Sequence, residues 1–161
     1  MKIFFTIGMA LIVFSAGAQS YKIQKAWAFV TESMPGARPM TDDNGKEIKP
    51  TPIIERFIFI ETNYKAEPKI ESVLYDGKQY RSTISVINEK KWQAGSIYSN
   101  GKLFYITPKQ GNELSRTVIT TDAGRPAGNE VKSITLKGKL GNSSFKQTLY
   151  SETRLTGPEY Q

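Results

Sequence analysis

Residues 72–87 read SVLYDGKQYRSTISVI, two runs rich in β-branched and aromatic side chains on either side of Asp76-Gly77. A two-residue type I′ turn needs positive φ at both central positions, which Asp-Gly supplies, so the segment is a hairpin with Val73 opposite Tyr80. The same grammar recurs on either side. In AGSIYSNGKLFYI, residues 94–106, an Asn100-Gly101 turn would set Tyr98 against Leu103 and Ile97 against Phe104. In VKSITLKGKLGNSSFKQTLYSETRL, residues 131–155, a loop over Gly141 to Ser144 would pair Leu140 with Phe145 and Leu136 with Leu149. That register gathers Thr135, Lys137, Lys139, Lys146, Thr148 and Tyr150 on the opposite face, because strand side chains alternate.

Further out, Tyr21 to Val30 forms a strand with Tyr21, Ile23, Trp27 and Phe29 on one side and Lys25 as the exception. Ile53 to Glu61 forms another, with Phe57 and Phe59 on one face and Ile54, Ile58 and Ile60 on the other. Apolar groups on both faces predict a central strand covered twice. Leu114 to Thr121 adds a further strand, and the Gly- and Pro-containing stretch Asp122 to Glu130 breaks regular structure. About nine short strands without a 3.6-residue apolar period predict an all-β domain. The expected architecture is an antiparallel β-sandwich, immunoglobulin-like or related; the alternative is an up-and-down β-barrel. The segment 31–52 is long for a loop; a minor hairpin pairing Thr41 with Lys46 around Asp42-Asp43-Asn44-Gly45 would shorten it, and a binding loop or lid over one sheet end is the alternative.

The first 20 residues, MKIFFTIGMALIVFSAGAQS, carry Lys2, an apolar run from Ile3 to Phe14 and a small-residue exit at Ala16-Gly17-Ala18. This is the layout of a cleaved secretory signal, and the run is too short to span a bilayer as a helix. Residues 1–18 are therefore expected to leave a single mature domain over 19–161, in the periplasm or outside the cell. Loss of Lys2 takes the formal charge from +7 to +6.

The 161 residues contain no Cys and no His. Thiol nucleophiles, Ser-His-Asp triads and Cys/His metal centres are excluded at a stroke. No cofactor is expected. Carboxylate chemistry remains open, but Glu55 and Glu61 lie about 20 Å apart along one strand, beyond the reach of a glycosidase pair. Asp42, Asn44 and Glu47 offer oxygen ligands for calcium, although turn chemistry explains them equally well.

Lys137, Lys139 and Lys146, with Tyr150 beyond them, form a candidate surface for an anionic glycan or lipid headgroup; solubility explains such lysines too. Trp92 follows the polar run Asn88-Glu89-Lys90-Lys91 and is either a candidate carbohydrate platform or a lid packed over the end of the sandwich, whereas Trp27 falls in phase with a core strand. Nucleic-acid binding would need more aromatic side chains along the basic track. The function expected from these features is an exported, noncatalytic β-domain that binds a glycan, an anionic ligand or a partner protein of the envelope. A structural or envelope-assembly role and a carboxylate-dependent hydrolase are the alternatives.

Overall fold

The computed structural model describes residues 22–33, 40–41, 43–48, 53–63, 68–120 and 131–156. The regular structure of these residues is entirely β. In chain order the strands are β1 (Ile23–Ser33), β2 (Met40–Thr41), β3 (Glu47–Ile48), β4 (Ile53–Thr62), β5 (Lys69–Tyr75) and β6 (Lys78–Ile87). They continue as β7 (Trp92–Ile97), β8 (Leu103–Ile106), β9 (Glu113–Thr120), β10 (Ile134–Leu140), β11 (Ser143–Leu149) and β12 (Thr153–Thr156). Ten of them form one sheet in the order β11-β10-β5-β6-β9-β4-β1-β12-β7-β8, and β2 pairs with β3 alone. The expected nine strands become twelve through β2, β3 and β12.

Strand β4 organises the core, as its two-faced sequence requires. Phe57 and Phe59 join Phe29, Ile106, Leu114 and Leu155 in one cluster, flanked by the half-buried Trp27, Trp92 and Phe104. Ile58 and Ile60 join Ala28, Val73, Tyr75, Tyr80, Ile134 and Leu136 in a second cluster, flanked by Phe145 and Leu149. Residues 57 to 60 alternate in direction, so the two clusters lie on opposite faces of the same strand. One end of the sheet therefore folds over one face of β4 and the other end folds over the reverse face. On the Ile58 side β11 comes back against β1, which wraps seven strands around that cluster in a barrel-like manner. On the Phe59 side β12, β7 and β8 form a covering layer, as in a sandwich. Layered and barrel-like packing are two aspects of one continuous sheet. β12 runs parallel to β1, with Phe29 beside Thr153 and Thr31 beside Leu155; the other pairings among the described strands are antiparallel.

The Asp76-Gly77 turn forms as expected, with φ of 47° and 84°, and Val73 lies opposite Tyr80. Asp76 also accepts hydrogen bonds from the Lys132 and Ser133 amides at 3.0 and 2.8 Å, pinning the entry to β10. The other two hairpins are displaced by two residues from the expected register. In the first, the Ile97 amide donates to the Lys102 carbonyl at 2.8 Å, Ser96 lies opposite Leu103, and Gly95 opposite Phe104. Only Gly101 in that loop has positive φ, 67°, so the doubly left-handed type I′ turn is replaced by a four-residue loop, Tyr98 to Gly101. In the last hairpin Gly141-Asn142 is the turn: Leu140 pairs with Ser143, Gly138 with Phe145, and Ile134 with Leu149. The expected pairs Leu140–Phe145 and Leu136–Leu149 do not form. A slip of two preserves facial identity, which is why the buried and exposed sets still match.

Two irregularities correct the strand faces. A bulge between Ile23 and Lys25 turns Ile23 toward the Ile58 cluster, while Trp27 and Phe29 face the other one, so Ile23 does not share their face as expected. On β10, Gly138 lies so close to β5 that an added Cβ would stand 2.1 Å from the Lys69 carbonyl oxygen. The register shifts at the same place. β2 and β3 pair Thr41 with Glu47, one residue beyond the expected Lys46. Residues 1–20, Tyr21 and the 122–130 stretch lie outside the described residues.

Candidate functional site

The last hairpin carries the predicted lysines on its outer face. Lys137 lies directly opposite Lys146, rather than Lys139 as the expected register has it, and Lys139 is flanked by Ser144 and by Lys69 of β5. Lys69 thus joins the set, unforeseen because β5 and β10 are joined only in three dimensions. Glu71 contacts Lys139 at 3.5 Å, with both side chains about half exposed. Tyr150 follows the end of β11 and is 78% exposed. Arg154 is not part of this face: β11 ends at Leu149, and Arg154 belongs to β12, ion-paired with Glu32.

Trp92 sits on β7 opposite Ile106, its ring centroid 6.4 Å from that of Phe59, half-buried against the aromatic cluster. Its indole serves as a wall of the core. Besides Tyr150, exposed large apolar side chains lie farther along this same β7–β8 hairpin: Tyr98 is 62%, Leu103 49% and Tyr105 43% exposed. On β8, Phe104 and Ile106 point into the core, so Leu103 and Tyr105 point outward by alternation. Lys91 Nζ lies 4.0 Å from the Tyr105 ring centroid, and the Arg154 guanidinium carbon lies 4.4 Å from that of Tyr98. β8 is also the last strand of the sheet, so one of its edges has no strand beside it among the described residues. The sequence does show the signal: LFYI, residues 103–106, is apolar on both faces, like β4.

Where β8 ends an open groove begins, about 830 Å³ in volume, between Ile87–Lys90 and Thr107–Leu114. Its floor has the apolar Ile87 and Leu114; Glu89, Lys90, Lys109, Gln110 and Asn112 supply polar walls. The loop after β8 is held by Glu61, a fully buried carboxylate on β4. Glu61 Oε1 accepts the Lys109 amide at 2.9 Å and a hydrogen bond from Asn112 Nδ2. Asn112 N–H also donates to the Lys109 carbonyl at 3.0 Å. A charge-capable group at 1% exposure is stabilised by such donors. Glu61 thereby shapes the groove from beneath. Glu55 stands exposed near the other end of β4, so the two carboxylates form no pair.

A second buried polar group lies on the Ile58 side of the sheet. Arg56 on β4, 3% exposed, donates through Nε and Nη2 to the Glu152 carboxylate at 3.1 and 3.2 Å. Its guanidinium carbon lies 5.6 Å from the Tyr75 ring centroid. Burial, the first cause, and the negative charge of Glu152 push the Tyr75 phenol above the usual tyrosine range, against a smaller opposite effect from Arg56. Of the calcium candidates, Asn44 is exposed in a turn and Glu47 belongs to β3, while Asp42 lies outside the described residues. Among the described residues no group of three or more acidic side chains is placed to hold a metal ion. No protein-family model, curated protein or solved structure matches the chain.

Proposed function

We propose that the protein is an exported, noncatalytic binding domain that takes up an extended segment of a partner protein along the open edge of β8. The observation that carries this reading is a terminal strand that exposes Leu103 and Tyr105 while its inner face is committed to the core. Strand addition obtains affinity from main-chain hydrogen bonds and selectivity from alternate side chains. Leu103, Tyr105 and the adjacent Tyr98 offer those side-chain contacts. The groove lined by Thr107–Leu114 begins where β8 ends and receives the next residues of the bound segment. Lys91, Lys102 and Lys109 around this edge favour a segment bearing acidic residues. A polypeptide is preferred to a glycan because Lys91 and Arg154 already lie over the Tyr105 and Tyr98 rings, where a sugar would stack.

The test is a photo-crosslinking residue placed at Thr107, beside the edge, in the producing cells. One dominant crosslinked protein is expected, and it disappears in the Leu103→Lys/Tyr105→Lys variant with an unchanged melting temperature. The absence of any crosslinked partner, or a partner retained by that variant, would overturn the proposal.

A further inference from the structure

The outer face of β5, β10 and β11 is remote from β8 in the order of the sheet and has its own chemistry. Lys137 stands directly across from Lys146, and Lys139 directly across from Lys69. Like charges in such positions destabilise a sheet. Two adjacent pairs of this kind are an arrangement the fold does not need. Glu71 is the acidic group contacting this set, and its half-exposed contact with Lys139 is too solvated to cancel the field of four amines. Small polar side chains stand beside them, Ser72 opposite Lys137, Ser144 opposite Lys139, and Thr135 paired with Thr148, their hydroxyls 3.5 Å apart, with Leu74 of β5 beside Thr135. The lysines thus stand above the small side chains next to them.

With strands about 4.8 Å apart and same-face residues about 6.8 Å apart along each strand, the four Cα positions cover a patch of about 10 by 7 Å. A linear polyanion presents its charges along a line. This patch spreads in two dimensions, as charges on a planar surface do. Lysine stems are long enough to lay their amines on headgroup phosphates while the backbone stays above them. Tyr150, 78% exposed at the rim, supplies the amphipathic ring that favours a membrane–water interface. We propose that this face docks the protein on an anionic lipid surface through Lys69, Lys137, Lys139 and Lys146, with Tyr150 entering the headgroup layer.

The experiment is co-sedimentation of the full mature chain with vesicles of phosphatidylglycerol and phosphatidylcholine in equal parts, beside vesicles of phosphatidylcholine alone. Binding is expected only to the anionic vesicles, weakened as salt rises. Each lysine neutralised should reduce the partition coefficient about fivefold, so Lys137→Gln/Lys146→Gln loses about 25-fold, and Tyr150→Ala weakens binding without changing its salt dependence. Circular dichroism checks that the variants are folded; if the double variant is not, Lys137→Gln alone carries the test through its fivefold loss. Dextran sulfate provides the soluble polyanion arm. Equal binding to neutral vesicles, unchanged binding by the folded glutamine variants, or binding to dextran sulfate without binding to vesicles would each overturn the proposal.

Discussion

Tyr75 shows how one side chain reports on a buried charge pair. Its hydroxyl has no hydrogen-bond partner in the described structure, while Arg56 faces its ring and Glu152 completes the ion pair. An ionised phenol there would lose hydration and meet the Glu152 charge, hence the upward displacement of its pKa. In the unfolded chain the phenol titrates near the ordinary value of about 10. The folded form retains its proton to higher pH, so this contribution to stability is complete below about pH 10 and is lost as pH rises above it. Tyr75→Phe should raise stability at neutral pH by about 1 kcal/mol, because it deletes a buried hydroxyl left unpaired. It should also flatten the alkaline decline. Urea unfolding midpoints of parent and variant across the alkaline range check both outcomes, and a steeper decline in the variant would refute the assignment. None of this was legible from spacing, because Arg56 and Glu152 are 96 residues apart in the chain.

At the scale of the element, alternation was read more securely than register. The lysine face of β10 and β11 appears where the sequence places it, although the turn moved from Gly141–Ser144 to Gly141-Asn142. Pairing across strands depends on turn conformation, whereas facial identity survives any slip of an even number of residues. At Trp92 local context leaves the choice between an exposed platform and a lid open. Its polar neighbours Lys90 and Lys91 belong to a connection, but the strand that starts at Trp92 lies over Phe59. Trp92 and Trp27 flank the same cluster to a similar degree, so Trp92→Ala and Trp27→Ala should each lower stability by about 3 kcal/mol, below the loss for a fully enclosed Trp. Chemical denaturation decides this: a negligible loss for Trp92 alongside a large one for Trp27 would return Trp92 to the surface.

Over the whole molecule, the two clusters share β1, β4 and β9 as a common wall, so neither can melt while the other persists. Phe59→Ala on one face and Ile60→Ala on the other should each move a single unfolding transition, by about 2 to 5 kcal/mol. Tryptophan fluorescence, which reports on the Phe59 side, and far-ultraviolet circular dichroism should give coincident curves; separated midpoints would show two independent units. The sequence by itself determined the all-β class, the central place of β4, the Asp76-Gly77 hairpin and the polarity of the strand faces outside the β1 bulge, since these follow from alternation and turn chemistry within a few residues. It also excluded thiol and histidine chemistry, which depends on composition alone. Tertiary structure decided which strands are neighbours, and with them the folding of one sheet over both faces of β4, the addition of Lys69 to the basic face, the packing of Trp92 against Phe59, and the β8 edge that has no strand beside it among the described residues. Those outcomes depend on contacts between segments far apart in the chain. A two-residue period says that a side chain faces out of a strand, but only the order of strands says whether solvent or another layer stands in front of it.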